Sequence, residues 1–274
     1  MKTSTKLIFG AAAAAAAALP FVLLAPGRAS GSQKAPFMGL NCAHRGLHSQ
    51  DRSVPENSLE AFRLAAEAGY GIELDVQLSR DGQVVVFHDN TLKRVCGVDK
   101  RVDELDYAQL KELRLCGTEQ TIPLFTEVLR LVDCRSSLIV ELKGGRRNDE
   151  LCEKTRDILD YYDGSFCVES FHPGIVRWFK KNAPDYLRGQ LAMPAEEYEK
   201  SLNPFLKFAL SHGLTNIIAR PQFIAYQIGP RPLSIRFAEL LGAMRVGWTA
   251  HDPSAEKGRH CVIFEFYTPW VRYK

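Results

Sequence analysis

Gly71-Ile72-Glu73-Leu74-Asp75-Val76-Gln77-Leu78 alternates without a break: apolar side chains fall at 72, 74, 76 and 78, acids and an amide at 73, 75 and 77. A period of two marks a strand, and it sends the two sets to opposite faces. In a sheet closed into a barrel the outer face packs against helices and must be apolar, so Glu73 and Asp75 point inward. Ser137 to Lys143 repeats the arrangement, with Val140 and Leu142 outward and Glu141 and Lys143 inward near the C-terminal rim.

Outward from this pair, strand and helix patterns alternate along most of the chain. Strands are expected at Ile72–Leu78, Val84–Phe87, Ser137–Leu142, Phe166–Ser170, Leu187–Leu191, Asn216–Ala219, Met244–Trp248 and Val262–Phe266. Helices are expected at Ser58–Ala68, Phe125–Val132, Asp149–Tyr161, Gly174–Asn182, Glu196–His212 and Leu233–Leu241. Strand-then-helix repetition implies a parallel sheet, and about eight strands in roughly 240 residues suit a (β/α)8 TIM-like barrel. An open doubly wound sheet is the second reading. Asp89 to Thr121, with a helix expected at Glu104–Leu115, reads as a small insertion over the barrel mouth. The short spans after Trp248 and Phe266 leave the final two helices short or missing.

The N-terminal run Leu7 to Pro26 carries no charge. As a helix it would span about 30 Å, the thickness of a hydrocarbon core. The first expectation is a single-pass anchor in the plasma membrane. Residues 1–35 are then anchor and linker and residues 36–274 the barrel domain. A cleaved secretory signal ending near Gly27-Arg28-Ala29 and an unstructured Ala-rich leader are the alternatives. The seven cysteines are odd in number, with no Cys-x-x-Cys pair, which argues against a zinc site and leans the barrel toward a reducing, cytoplasmic side. Lys and Arg number 35 against 32 Asp and Glu, an excess of three that Lys2, Lys6 and Arg28 account for. The remaining chain is neutral, so no nucleic-acid partner is implied. No feature marks an obligate protein partner.

Chemistry concentrates between Cys42 and Asp89. His44-Arg45-Gly46 follows the apolar run Leu40 to Ala43, Pro55-Glu56-Asn57 opens a helix, and His88-Asp89 ends the run Val84 to Phe87. If Glu73, Asp75 and Glu141 meet within roughly 5 Å, each pair repels by about 3 kcal/mol at an effective dielectric near 20. Summed, that approaches the roughly 5–15 kcal/mol that stabilises a whole domain. Shared protons or one divalent cation must neutralise them. Oxygen-only donors favour a hard ion, Mg2+ or Ca2+. The bland alternative is a set of ordinary ion pairs with Arg45, Lys143 and Arg80, and a lone histidine is more often a structural hydrogen-bonder than a catalyst.

Together these segments resemble the glycerophosphodiester phosphodiesterase family. The resemblance is carried by Ala43-His44-Arg45-Gly46, Pro55-Glu56-Asn57-Ser58, Gly71-x-Glu73-x-Asp75, Asp81-Gly82-x-Val84-Val85-Val86-Phe87-His88-Asp89, Val140-Glu141-Leu142-Lys143, Ser170-Phe171-x-Pro173 and Gly247-Trp248-Thr249. It implies a metal-dependent barrel that hydrolyses a glycerophosphodiester to an alcohol and glycerol 3-phosphate. His44 and His88 match the general acid and base, Glu73, Asp75 and Glu141 the metal ligands, and Arg45 and Lys143 the phosphate contacts. Glu56 matches an acid near the metal. Phe171 and Trp248 are read as lining the glycerol or alcohol subsite, with plain core packing as the other reading. The tail after Thr249 departs from the family's usual ending, which puts barrel closure in question.

Two rival functions use fewer of these residues. A non-catalytic phosphate-binding barrel needs Arg45 and Lys143 but neither histidine. A glycoside hydrolase could pair Glu141 with Glu169 and would leave His44 and His88 idle.

Overall fold

Among the residues described by the computed structural model, 18–274, nine strands form one sheet: β1 (Leu40–Ala43), β2 (Gly71–Leu78), β3 (Val84–Val86), β4 (Leu138–Leu142), β5 (Phe166–Ser170), β6 (Arg188–Ala192), β7 (Phe223–Gln227), β8 (Met244–Ala250) and β9 (Cys261–Phe264). All but β3 run parallel, and β1 pairs with both β9 and β2. That pairing closes an eight-stranded barrel and rules out the open sheet. The outer layer contains α1 (Leu59–Glu67), α2 (Phe125–Val132), α3 (Asn148–Leu159), α4 (Pro173–Asn182), α5 (Pro204–Ser211) and α6 (Leu233–Leu240).

The alternation in β2 does what its period dictates. Ile72, Leu74, Val76 and Leu78 pack outward in one cluster with Phe62 of α1 and Phe125 and Val128 of α2. The inward positions are layered. Ile139 of β4, Cys167 of β5, Phe223 of β7 and Cys261 of β9 fill the lower interior, with Phe37 packed among them. One step further toward the C-terminal ends of the strands, Glu141 and Glu169 lie opposite each other on β4 and β5. The barrel is therefore apolar below and charged above, and the charged end is where barrels of this kind carry their sites.

Several expected elements change. Val84–Val86 pairs antiparallel with β2 and stands outside the barrel ring, and Leu40–Ala43 takes the barrel place. Asn216–Ala219 is a short helix with Ile217 and Ile218 partly exposed, so β-branching there did not mark a strand, and β7 follows it. The helix expected over Glu196–His212 begins only at Pro204, where Asn203 accepts hydrogen bonds from Phe205 N and Leu206 N. Within the insertion, Tyr107–Leu110 alone of Glu104–Leu115 is α-helical, and Val95, Val102, Leu105 and Leu110 make a small core with Phe87. A 3-10 turn, Pro253–Glu256, replaces a helix between β8 and β9. Beyond β9 the tail lies along β1, through Asn41 N to Val271 O (3.0 Å) and Tyr273 N to Gly39 O (2.8 Å).

The single-pass anchor expected over Leu7–Pro26, with its plasma-membrane placement and membrane partner, is corrected. Among the described residues no helix is long and apolar enough to cross a membrane. Residues 7–17 of that run lie outside the described residues. The helical residues 18–24 end against the barrel, where Leu24 is buried with Ile224 and Ile235 and Phe21 meets Phe237 edge-on. Beyond them Gly27 N donates to Pro221 O at 2.9 Å, and Arg220 Nη1 to Ala25 O at 2.8 Å. The end of the segment expected as anchor and linker, residues 1–35, instead contains a helical turn, Gly31–Lys34, closed by a Ser30–Gln33 capping box.

Candidate active site

Glu73 and Asp75 come from β2 and Glu141 from β4, and one carboxylate oxygen of each lies within 4.8 Å of the other two. All three side chains are buried. Burial, and then the charges of Asp75 and Glu141, push the Glu73 carboxyl well above its ordinary range. Burial raises Glu141 too, against the pull of Lys143. Asp75 goes the other way, because Lys143, His88 and Arg45 overcome its burial. Lys143 Nζ donates to Glu141 Oε1 at 2.8 Å and to Asp75 Oδ1 at 3.3 Å. The cluster thus holds more negative charge than its fixed cations neutralise, and Arg80, the third expected partner, is engaged with Asp106.

The turn after β1 supplies the next group. Arg45 adopts a left-handed backbone conformation (φ 53°), and its N–H donates to Glu73 Oε2 at 2.9 Å. Gly46 follows at φ 78°, where a Cβ would come within 2.8 Å of Ala61 in α1. Only glycine fits that close approach. Arg45 Nη1 donates to Glu56 Oε1 at 2.7 Å, and its Nε stands 3.6 Å from Asp75. Pro55-Glu56-Asn57-Ser58 divides its labour: Ser58 caps α1, Asn57 Nδ2 donates to Asp75 Oδ2 (2.8 Å), and Glu56 holds Arg45.

His44 projects from the end of β1, with Nδ1 2.7 Å from Glu265 Oε2 and Nε2 4.0 Å from Glu73. Burial lowers its pKa to about 4, outweighing the carboxylate at Nδ1. The ring is therefore neutral at pH 7, with Nδ1–H donating to Glu265 and a free lone pair on Nε2. His88 is placed by the pairing of β3 with β2, which continues through Phe87 N to Asp75 O (3.0 Å). Gln77, the third inward residue of β2, clamps that turn by donating to Phe87 O (2.7 Å) and Asp89 O (3.0 Å). His88 Nδ1 lies 2.6 Å from Asp89 Oδ1.

Phe171 and Trp248 meet edge-on, ring centroids 5.5 Å apart, and Phe171 shares a cavity wall with Glu141 and Lys143. The Trp248 indole is held by Ala225 O at 3.0 Å. Glu169 is 2% exposed, and burial followed by the charge of Glu141 keeps its carboxyl protonated well above the usual range. Sealed from solvent, Glu169 does not flank an open cleft, as a glycosidase pair must.

Two residues of the site escape a reading of local motifs. Glu265 lies just past β9, in the tail that departs from the family pattern, and is joined to His44 across 221 positions. His48 and His251 stand 3.9 and 3.8 Å from the same carboxylate. Arg94, in the insertion, donates to Glu56 (2.7 Å) and to Asp89 (2.6 Å), linking the carboxylate behind Arg45 to the one behind His88. The run His88-Asp89-x-x-x-x-Arg94 was the only signal in the sequence for that bridge.

A sequence model of the glycerophosphoryl diester phosphodiesterase family matches residues 44–260. A glycerophosphodiester phosphodiesterase from Bacillus altitudinis is 36% identical over 154 residues, covering 52% of this chain and 62% of that protein. Another from Caldanaerobacter subterraneus subsp. tengcongensis is 33% identical over 187 residues, covering 60% and 74%. The chain thus spans less than two thirds of the length of the first of these and about three quarters of the second. Among solved structures, an Oleispira antarctica phosphodiesterase in complex with the product sn-glycerol-3-phosphate superposes with a TM-score of 0.69 at 23% identity, covering 85% of this chain and 94% of that one. With a family match spanning both histidines, all three clustered acids and six of the eight barrel strands, the chain belongs to the glycerophosphoryl diester phosphodiesterase family.

Proposed function

We propose that this chain hydrolyses a glycerophosphodiester to an alcohol and sn-glycerol 3-phosphate, with Glu73, Asp75 and Glu141 holding a divalent cation and His44 and His88 exchanging protons with the substrate. The observation that carries the reading is the buried triad, whose oxygens lie within 4.8 Å of one another beside Lys143. Burial and mutual repulsion that raise Glu73 and Glu141 are what a cation in their midst would relieve. An all-oxygen donor set suits Mg2+ or Ca2+. Such an ion supplies charge neutralisation at the phosphoryl oxygens.

The chain's own residues do the rest. Lys143 and Arg45, pinned by Asp75, Glu141 and Glu56, present cations at fixed positions to the remaining phosphoryl oxygens. The neutral Nε2 of His44 accepts the proton of the nucleophile, either water or the neighbouring glycerol hydroxyl. His88, oriented by Asp89, delivers a proton to the departing alkoxide. Phe171 and Trp248 bound the subsite of the organic groups.

The direct test is glycerol 3-phosphate release from glycerophosphocholine, abolished by EDTA and restored by Mg2+ or Ca2+. An unchanged rate in EDTA refutes the metal. Stability gives a second readout. Glu73 and Glu141 have folded pKa values raised above 4.5, so the folded state binds more protons than the unfolded one. Their contribution is fully present below the ordinary carboxyl range and is lost as pH rises through the raised values; Asp75, depressed, loses its contribution only in acid. In EDTA the Tm should therefore fall from pH 5 to pH 8. Cation at roughly 100 times Kd should raise it by about 5–10 °C at pH 8, and by less at pH 5. A cation effect independent of pH would contradict this.

Glu265 tests the tautomer. Partners that fix a ring in this way typically carry about 10–100-fold in activity. Glu265→Ala is expected to lower kcat by that factor, with KM nearly unchanged and Glu265→Asp partly restoring it. An equal fall in kcat for both variants, or a change confined to KM, would show that Glu265 does not act through His44.

A further inference from the structure

The insertion between β3 and α2 enters the charged centre through Arg94. Its own core is small: Leu92 and Val95 are 0% and 4% exposed, packed with Val102, Leu105 and Leu110, and they fix the helical turn Lys93–Cys96 on which Arg94 stands. The Arg94 guanidinium donates from Nη1 to Glu56 Oε2 and from Nη2 to Glu56 Oε1, both at 2.7 Å. On its other edge Nε donates to Asp89 Oδ2 at 2.6 Å and Nη2 to Asp89 Oδ1 at 2.9 Å. One planar group thus holds all four oxygens of two carboxylates that come from different loops, a geometry the point charge of a lysine cannot reproduce.

Each carboxylate has a second partner, and in both cases it belongs to the reaction centre. Glu56 Oε1 also accepts from Arg45 Nη1 at 2.7 Å. Asp89 Oδ1 also lies 2.6 Å from His88 Nδ1. An ionised carboxylate only accepts, so the Nδ1 proton of His88 is committed to Asp89, and Nε2 is the nitrogen left for substrate. Burial raises the Glu56 carboxyl, but Arg94 and Arg45 outweigh it and hold the group down at about 2, an anion at neutral pH. Arg45, Glu56, Arg94, Asp89 and His88 therefore form one unbroken chain from a phosphate-side cation to a proton-transferring ring. Without the cation at its middle, the two carboxylates would repel each other and carry their partners apart. We infer that Arg94 is a positioning residue: it touches no reacting atom but locks Arg45 and His88 into one register, so that the phosphoryl group and its proton donor meet in a fixed geometry. The inference rests on the proposed hydrolase reading and adds a part supplied by the insertion. Arg94 is 42% exposed, and ion pairs at such sites add little to stability. A displacement of about 1 Å in a reacting geometry, by contrast, can cost about 10²-fold in rate.

The experiment uses the full chain with Mg2+ or Ca2+. On glycerophosphocholine, kcat should fall by about 10²-fold in Arg94→Ala and by at least about ten-fold in Arg94→Lys, which keeps the charge and loses the fork, with Tm in both within a few degrees of the parent. Guanidinium chloride at a low, non-denaturing concentration should restore Arg94→Ala several-fold, and the same concentration of sodium chloride should not. Partner dependence is the readout that a role confined to holding the insertion together would leave unmoved. Added to the double variant Glu56→Gln, Asp89→Asn, the Arg94→Ala change should cost less than about two-fold, because the groups through which it acts no longer carry charge. Exchange of the His88 ring proton, followed by NMR on 15N-histidine-labelled protein and assigned through His88→Ala, reads the same lock without turnover. It should be slow in the parent and fast in Arg94→Ala. An Arg94→Ala variant that keeps more than about half of the parent rate, or that loses the same factor with Glu56→Gln and Asp89→Asn in place, would overturn the positioning role and leave the hydrolase standing. A parent inactive on every glycerophosphodiester, with His88 exchange still dependent on Arg94, would overturn the hydrolase and leave the positioning role standing. Exchange independent of Arg94 in that inactive parent would overturn both.

Discussion

His44→Ala and His88→Ala should each lower kcat on glycerophosphocholine by about 10²–10⁴-fold, the usual contribution of a positioned acid or base. Neither ring lies in the apolar core, so the Tm should move by only a few degrees. The two variants separate once the leaving group changes. A p-nitrophenolate departs without being protonated, so His88→Ala should recover most of its rate on glycerophospho-p-nitrophenol. His44→Ala should not, because the nucleophile still needs a base. Burial that holds His44 near 4 and leaves Nε2 unprotonated is the physical ground for this assignment. Recovery by His44→Ala instead would exchange the two roles, and a loss under ten-fold for either variant would remove that ring from the mechanism.

Glu73→Gln should show opposite signs in activity and in stability. The Glu73 carboxylate is 2% exposed and is repelled by Asp75 and Glu141, so its charge opposes folding when no cation is bound. The amide keeps the shape and an acceptor for Arg45 N while deleting that charge. In EDTA at pH 8 the variant is expected to be more stable than the parent by about 0.5–2 kcal/mol, a trade of the kind found where a site is held in a destabilised state. With cation present the order should invert, since the parent gains from binding and the variant does not. Activity should fall by at least about 10²-fold. A destabilised Glu73→Gln in EDTA would mean that the acid is held by attractive contacts, and the triad would then be an ordinary salt-bridge cluster.

What the sequence disclosed follows from how local each signal is. The outward apolar and inward acidic faces of β2 and β4 are written in consecutive residues, and the fold follows them. Helix α2 and strand β5 likewise match their expected bounds. Asn216–Ala219 misled because Ile217 and Ile218 carry a strand's composition within a stretch too short to show a period. In the site, His44, Arg45, Glu56, Glu73, Asp75, His88, Glu141 and Lys143 stand in recognisable short motifs. Glu265 and Arg94 do not, because their meaning lies in a partner: His44 for Glu265, reached by barrel closure, and Glu56 for Arg94, reached by folding of the insertion over the mouth. A carboxylate that completes a pair across the closing seam is invisible to any window narrower than the whole barrel.

The segment from Leu24 to Phe37 is tied to the end of the barrel where strands begin: Gly27 bonds Pro221, and Gln222 Nε2 donates to Arg28 O at 2.7 Å, both just ahead of β7. His44, Glu73 and Glu141 occupy the far end. Immobilising the protein on a bead or sensor chip through a tag grafted at Gly31, exposed within that segment, should accordingly orient every copy the same way, with the reactive opening turned toward bulk liquid and diffusion into it unobstructed by the support.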